Sequence, residues 1–373
     1  MAHLAIGELR DLGIPSGLFF AIHTLTISTT VNPGTFCFLE KNQYSYAMLS
    51  WCNWWHMCFR QSQDANSNTR STLPPGAANG SVNAIFGDRT EPGAFDFALD
   101  QHWDAVFDTW WGAPRVVQQS VEVLRRHASY YSYVSSCAVY HGDALPSGIN
   151  EDCQTVEADS AADRTNYSAD KRGAELAVLE GFGSDASFLA RPGLILGPHE
   201  IPGRLPWWLH RIAQGGEVLA PGPRDLALQY IDARDLAVWM VACAEQKTVG
   251  VFNSISTSGH TNMFEVLDTC RRVTNSDAKF TWVPPDFVLQ QGIRPWSEMP
   301  IWVDPDLYGM HGFDTSRAAS AGLTCRPFIE TVADTWAWMQ SGSHPQIPVG
   351  LSAPGVSSKK EKAALATWAS QIR

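Results

Sequence analysis

A tyrosine, a lysine and a pair of serines carry the spacing in this sequence that could do chemistry. Tyr167 and Lys171 are four residues apart, so on a helix they would share one face. A phenol ordinarily has a pKa of about 10, and a cation on the next turn lowers that pKa by favouring the phenolate. The hydroxyl of Ser136, or of Ser135 as the alternative, could hydrogen-bond the same reacting oxygen. Together these groups predict proton transfer to or from a carbonyl or alcohol oxygen.

These side chains need a strand, a helix and a second strand to position them. The β-prone run before Ser136 predicts a strand over 131–136, and the pattern from 167 onward predicts a helix over 167–182. A short apolar run that stops at Arg-Pro-Gly, residues 191–193, predicts the next strand. Strand, helix and strand at this spacing are typical of a βαβ unit in a parallel sheet.

Several motifs around this unit, taken together, resemble one known family. They are SCAVY at 136–140, YSADK at 167–171, RPGLILGP at 191–198, FGDR at 86–89 and QYIDARDLA at 229–237. In combination they resemble the extended short-chain dehydrogenase/reductase family, in its NAD-dependent epimerase/dehydratase branch, over residues 82–340. The resemblance implies an α/β fold with a doubly wound parallel sheet, Rossmann-like, and a smaller C-terminal substrate lobe.

The resemblance also assigns roles to individual residues. Tyr167 would be the general acid/base, Lys171 would lower the tyrosine pKa and hold the cofactor ribose, and Ser136 would hydrogen-bond the substrate oxygen. Asp88 would lie beside the adenine. The further cofactor contacts that it implies are Gly7, Gly13, Arg70, Arg89, Thr109 and Pro192. The cofactor would be NAD or NADP, and an arginine at position 70 would suit the 2′-phosphate of NADP.

The first eighty residues match the family less well than the rest of the chain. A strand and a glycine turn are predicted over 3–13, but only Gly7 and Gly13 match the family's glycine spacing. Glu8 stands where a small residue should let the backbone approach a pyrophosphate. Residues 61–80 are polar and rich in turn formers, which predicts a loop. The segment is therefore either a divergent nucleotide-binding half or a stretch foreign to the fold, such as a translated intron or a shifted reading frame.

The rest of the chain predicts helices and one long loop region. Helices are predicted at 116–126, 205–214, 234–245, 263–273, 328–339 and 359–372. Residues 281–305, rich in Trp and Pro, are predicted to form loops of the substrate lobe. The fifteen tryptophans predict core and lobe packing rather than a tryptophan-lined pocket. Candidates for a substrate pocket are nevertheless Arg204, Trp207, Trp208 and Trp296.

The predicted organisation has three parts. A dinucleotide-binding domain spans 1–198 and returns at 226–258, with its first eighty residues divergent. A substrate lobe spans 199–225 and 259–345, and a C-terminal tail with a helix spans 346–373.

Composition limits the class of protein. The chain has 373 residues, 45% of them hydrophobic and 17% charged, which is enough for one large domain or two lobes. A net charge of −11 argues against nucleic acid or an anionic membrane as a partner. The eight cysteines form no CxxC pair and no zinc spacing, so no metal site is predicted. With no evident targeting segment or membrane span, a cytoplasmic protein with reduced thiols is expected.

The function predicted from these features is that of an NAD(P)-dependent oxidoreductase or epimerase acting on a carbonyl or secondary alcohol of a small molecule. Two other classes stay open. One is a cofactor-independent enzyme, such as a lyase or cyclase, and the other is a non-catalytic family member, such as a nucleotide sensor or an RNA-associated protein. The weak glycine turn favours the non-catalytic class, and the Ser-Tyr-Lys set opposes it. A homodimer is the assembly to consider.

Overall fold

The structure, a computed structural model, describes residues 26–29, 36–39, 83–86, 88–91, 93–140, 146–342 and 353–372. The predicted glycine turn with Gly7 and Gly13 lies outside the described residues, as does Arg70. The chain divides into two compact units. The first comprises Met1–Val134, Ala158–Leu189 and Val241–Gly250, and the second comprises Ser135–Glu157, Ala190–Met240 and Val251–Arg373.

This division differs from the predicted domains at residues 135–157, 190–198, 226–240 and 251–258, which belong to the second unit. Long-range hydrogen bonds explain the difference. The Tyr140 hydroxyl donates to Oδ1 of Asn253 (2.5 Å), and the Asp314 amide donates to the carbonyl of Ile149 (2.9 Å). Contacts between residues more than a hundred positions apart leave no mark on the local pattern of the sequence.

The described residues include short strands and α-helices of five to sixteen residues. The strands are β1 (Thr26–Thr29), β2 (Phe36–Leu39), β3 (Asn83–Phe86), β4 (Ala105–Asp108), β5 (Tyr131–Val134), β6 (Ser187–Arg191), β7 (Ile195–Leu196), β8 (Glu217–Pro221), β9 (Ala227–Leu228), β10 (Ile231–Asp232), β11 (Gly250–Asn253), β12 (Thr261–Asn262) and β13 (Lys279–Val283). The α-helices are α1 (Pro114–Leu124), α2 (Tyr167–Phe182), α3 (Arg204–Ala213), α4 (Ala233–Glu245), α5 (Met263–Val273), α6 (Pro285–Gln290), α7 (Ser316–Ser320), α8 (Phe328–Gln340) and α9 (Ser358–Gln371).

The largest sheet in the described part of the chain has seven strands in the order β11-β6-β5-β4-β2-β1-β3. β4 runs parallel to β5, and β1 runs parallel to β3. β2 is antiparallel to both of its neighbours, β1 and β4. The predicted α/β fold is confirmed, while this antiparallel strand departs from the all-parallel order that the resemblance implied.

Glycines bring α1 and α2 of the first unit close together. A Cβ on Gly173 would lie 2.7 Å from Cγ of Pro114, and one on Gly181 would lie 1.9 Å from Cγ1 of Val121. Real Cβ atoms do not approach this closely, so the absence of side chains at these two positions allows the contact. The predicted helix over 167–182 is therefore fixed against its neighbour along much of its length.

The core of the second unit combines many aliphatic side chains with several aromatic ones. Trp208 and Trp302 are fully buried there, and their indole N–H groups donate to the carbonyls of Pro300 (2.7 Å) and Gly222 (2.9 Å). The pocket candidate Trp208 is thus a core residue, as the packing interpretation of the tryptophans predicts.

The predicted loop over 281–305 is wrong over its first part. β13 pairs in parallel with β8, and the short helix α6 follows with Pro285 in its first turn. Proline fits the first turn of a helix because that position needs no backbone N–H. The predicted helix at 263–273 is confirmed with the same bounds, Met263–Val273. Among the described residues, no helix is long and apolar enough to cross a lipid bilayer.

Candidate active site

Tyr167 and Lys171 lie one turn apart at the start of α2. The side chain of Asn166 caps this helix by accepting a hydrogen bond from the Ala169 amide (3.1 Å). The two side chains differ sharply in exposure, at 48% for Tyr167 and 3% for Lys171. The helix therefore presents a phenol with access to solvent and, one turn further on, a buried amine.

Two backbone carbonyls fix the Lys171 ammonium. Its Nζ donates to the carbonyl of Trp110 (2.7 Å), in the loop after β4, and to the carbonyl of Val134 (2.6 Å), the last residue of β5. The nitrogen lies 4.8 Å from the centre of the Tyr133 ring. An ammonium group carries three protons, so these two bonds leave one proton for another acceptor.

Burial lowers the pKa of Lys171 from 10.5 to about 7. Desolvation is the main cause, because a charged amine loses its hydration in the interior. The nearby Asp108 and Glu175 carboxylates act in the opposite direction, and Arg89 lowers the pKa further. Near neutral pH the amine therefore exists in both its charged and its neutral form.

Arg89, predicted to contact a cofactor, lies in a buried ion pair. Its guanidinium makes two bonds to the carboxylate of Asp108, at 2.8 and 3.0 Å, and a third to the hydroxyl of Ser120 at 2.8 Å. Arg89 is 2% exposed and Asp108 is fully buried. The cofactor role of Arg89 stays a prediction, and the observed contacts direct its guanidinium to Asp108.

The other predicted cofactor residues of the first unit lie near the ends of strands. Asp88 is exposed two residues after β3, where its Oδ1 accepts hydrogen bonds from the amide (2.9 Å) and the hydroxyl (2.6 Å) of Thr90. Thr109 is partly buried and directly follows β4. Both positions are consistent with a ligand beyond the carboxyl ends of the strands, which is where α/β sheets bind them.

Ser136 and Pro192 belong to the second unit. Ser136 is buried and caps a 3₁₀ turn, where its hydroxyl oxygen accepts a hydrogen bond from the Ala138 amide (3.1 Å). The Cys137 amide donates to the carbonyl of Pro192 (2.9 Å), which holds the two segments together. Ser135, the alternative, is more deeply buried than Ser136.

Asp108 and the carbonyl of Trp110 are among the contributors to the surroundings of Lys171 that sequence reasoning missed. A signal for Asp108 was present, because a carboxylate that ends the apolar run Ala105–Asp108 needs a buried partner. No signal exists for the Trp110 carbonyl, since every residue carries one. Among the described residues, no cluster of three or more His, Cys, Asp or Glu side chains could hold a metal ion.

The α/β sheet and the spacing of the tyrosine and lysine on α2 fit the class that the motifs resemble, the extended short-chain dehydrogenases/reductases. More particularly, the chain belongs to the NAD-dependent epimerase/dehydratase family, whose model matches residues 60–254. The resemblance stated from the motifs is thereby confirmed. No curated protein sequence matches the chain.

Solved structures share the fold at low sequence identity. WbmH from Bordetella bronchiseptica, in complex with NAD⁺, is 14% identical with a TM-score of 0.54, over 86% of this chain and 99% of that chain. A UDP-glucuronic acid 4-epimerase from Bacillus cereus, in complex with NAD, is 13% identical with a TM-score of 0.53, over 91% and 95%. A UDP-N-acetylglucosamine 4-epimerase from Methanobrevibacter ruminantium M1, in complex with UDP-N-acetylmuramic acid, is 16% identical with a TM-score of 0.52, over 72% and 86%.

Proposed function

We propose that this protein is an NAD(P)-dependent oxidoreductase or epimerase that acts on a carbonyl or secondary alcohol of a small molecule. The observation that carries the proposal is the state of Lys171, which is buried, bonded to two carbonyls and lies one turn from the half-exposed Tyr167. Membership of the NAD-dependent epimerase/dehydratase family supports it. A packing role alone gives no reason to bury an amine at this cost.

The residues present fit the ribose end of a nicotinamide nucleotide. The third proton of the Lys171 ammonium is suited to a ribose hydroxyl, and Thr109 lies at the carboxyl end of β4. Asp88 is exposed for a contact with adenine, as the resemblance implies. The phosphate end rests on the sequence alone, because Gly7 and Arg70 lie outside the described residues.

NAD or NADP, when bound, would supply hydride exchange with the substrate. Tyr167 would give or take the proton at its phenolic oxygen, and Ser136 would hydrogen-bond the substrate oxygen. The protonated form of Lys171 would favour the tyrosine phenolate. The Trp110 and Val134 carbonyls would keep the lysine nitrogen in place during the proton transfer.

Sugar nucleotides are the first substrates to test, since the similar structures include a UDP-glucuronic acid 4-epimerase and a UDP-N-acetylglucosamine 4-epimerase. The proposal includes a cytoplasmic protein that forms a homodimer. Neither a nucleic acid nor a membrane is part of it.

Nucleotide binding is the first test. NADH and NADPH are titrated into the purified chain, with nucleotide fluorescence as the readout. Saturable binding of at least one of them is expected. If neither binds, the redox proposal fails and the cofactor-independent or non-catalytic alternative takes its place.

Replacement of the proposed acid/base residue is the second test. Tyr167→Phe should lower turnover by about 10²- to 10⁴-fold, the usual contribution of a positioned acid/base group, and leave the nucleotide dissociation constant unchanged. Tyr130→Phe is the matched control, because its hydroxyl is also in the first unit and donates to the carbonyl of Thr248 (2.7 Å). A Tyr167→Phe enzyme with the turnover of Tyr130→Phe would remove Tyr167 from the mechanism.

A further inference from the structure

Asp108 and Arg89 form a buried ion pair that is linked to Lys171 through Trp110. We propose that this pair positions the lysine. In this inference the pair holds the backbone of Trp110, whose carbonyl receives the Lys171 ammonium. Neither side chain touches the reacting atoms, so both are positioning residues. The inference rests on the proposed function, in which Lys171 acts beside Tyr167.

The carboxylate of Asp108 is the centre of this group. Both of its oxygens accept bonds from the Arg89 guanidinium, and Oδ2 also accepts a bond from the Tyr131 hydroxyl (2.6 Å). Its Oδ1 accepts the backbone amide of Trp110 (2.8 Å). Donors from two other segments, Arg89 and Tyr131, hold the carboxylate in one orientation, and its bond to the Trp110 amide then fixes the backbone two residues further on.

Trp110 is held on several sides. Its amide is bonded to Asp108, and its indole N–H donates to the carbonyl of Ala113 (3.0 Å). The guanidinium carbon of Arg89 lies 4.7 Å from the centre of its ring. The carbonyl then accepts bonds from Lys171 Nζ (2.7 Å) and from the Tyr133 hydroxyl (2.8 Å). Contacts therefore run without a break from Arg89 through Asp108 and Trp110 to Lys171.

Stability alone does not account for the ion pair. Both side chains are almost completely buried, and a buried pair of this kind seldom stabilises a fold more than apolar side chains of similar volume. A fixed orientation for Trp110 gives a reason to keep the pair. The Ser120 hydroxyl accepts a bond from Arg89 (2.8 Å) and donates to the Val116 carbonyl (2.7 Å), so it meets the pair only through the guanidinium hydrogen bond.

The pair also sets the electrostatic surroundings of Lys171. The negative charge of Asp108, on β4, favours the protonated amine, and the positive charge of Arg89 opposes it. Glu175, on the same helix as the lysine, favours protonation as well. The Tyr133 ring faces the amine from β5. Of these influences Asp108 follows desolvation in size, so removal of its charge should change the Lys171 titration most.

Nuclear magnetic resonance of the lysine side chains tests the inference on the full chain without nucleotide. The wild-type Lys171 signal, assigned from a Lys171→Arg sample, should titrate near pH 7. Asp108→Asn keeps the shape of the side chain and removes its charge, so it should lower this pKa by about one pH unit. It should also speed amide exchange at Trp110 by roughly tenfold, because the bond to a charged acceptor is lost. Ser120→Ala is the matched control and should change neither quantity.

A charge-neutral double variant, Arg89→Gln with Asp108→Asn, covers the case in which Asp108→Asn alone does not fold. It leaves no unpaired buried charge, and its Lys171 pKa should fall between those of wild type and Asp108→Asn. The inference is overturned if every folded variant has the same Lys171 pKa as wild type. It is also overturned if the exchange rate of the Trp110 amide is unchanged in all of them. Neither measurement uses nucleotide or turnover, so a failure of the proposed function would show separately in the NADH and NADPH titrations.

Discussion

Replacement of the buried Lys171 by methionine should stabilise the protein at pH 6 and lose that effect by pH 9. The pKa of the lysine is about 7 in the folded protein and 10.5 as its ordinary value, a difference of about 3.5 pH units. At about 1.36 kcal/mol for each unit, burial of the charged amine costs the fold about 5 kcal/mol. Lys171 is 3% exposed, so solvent screening reduces this figure little.

The sign of the effect follows from proton binding. The folded pKa lies below the unfolded one, so between pH 7 and pH 10.5 the unfolded chain binds more protons and stability rises with pH. The cost is full below pH 7, falls to about 2 kcal/mol at pH 9 and disappears near pH 10.5. Methionine avoids this cost and keeps the length of the side chain.

Methionine also removes a hydrogen-bond donor. The Trp110 carbonyl would keep its bond from the Tyr133 hydroxyl, whereas the Val134 carbonyl would lose its bond from the lysine. An unsatisfied buried carbonyl costs about 1–3 kcal/mol at any pH. The net gain in the free energy of unfolding is therefore about 3 kcal/mol at pH 6 and close to zero at pH 9.

Urea denaturation at both pH values, followed by far-ultraviolet circular dichroism, measures the difference. Lys279→Met, at an exposed lysine of the second unit, is the control and should change the free energy of unfolding by less than about 0.5 kcal/mol. If Lys171→Met differs from wild type by the same amount at pH 6 and pH 9, the burial argument is refuted. The stabilised variant should also lose turnover, because the proposed reaction needs the amine that lowers the stability of the fold.

Two further substitutions test the packing of the fold. Gly173→Ala would place a Cβ 2.5 Å from the backbone oxygen of Asp159. It should therefore destabilise the first unit by about 1–3 kcal/mol. An unchanged melting temperature would contradict this close packing. Glu361→Ala should cost about 3–5 kcal/mol, because the buried carboxylate on α9 accepts a bond from Nε of Arg211 (2.7 Å) and one from a backbone amide of β8. Arg317→Ala, at a more exposed ion pair, is its control and should cost less than about 1 kcal/mol, so equal losses from the two would refute the argument.

Local patterns in the sequence predicted most of the helices. The helix at 263–273 was predicted with the bounds that the structure has, and the helix over 167–182 is found as Tyr167–Phe182. Both predictions rest on residues close together in the chain, and the structure shows that a neighbouring asparagine caps each helix, Asn166 and Asn262. The prediction of loops over 281–305 was wrong in its first part, because β13 pairs with β8, about sixty residues earlier in the chain.

The sequence alone determined that Tyr167 and Lys171 share a helix face, because a four-residue spacing on a helix is a local property. It also identified the family through motifs that keep their order along the chain. Only the tertiary structure decided that the lysine is buried and which carbonyls it binds, since its partner Trp110 lies 61 residues away. Only the tertiary structure showed that Arg89 pairs with Asp108, 19 residues further along the chain. Burial and pairing of charges depend on segments that meet after folding, and spacing along the chain does not record them.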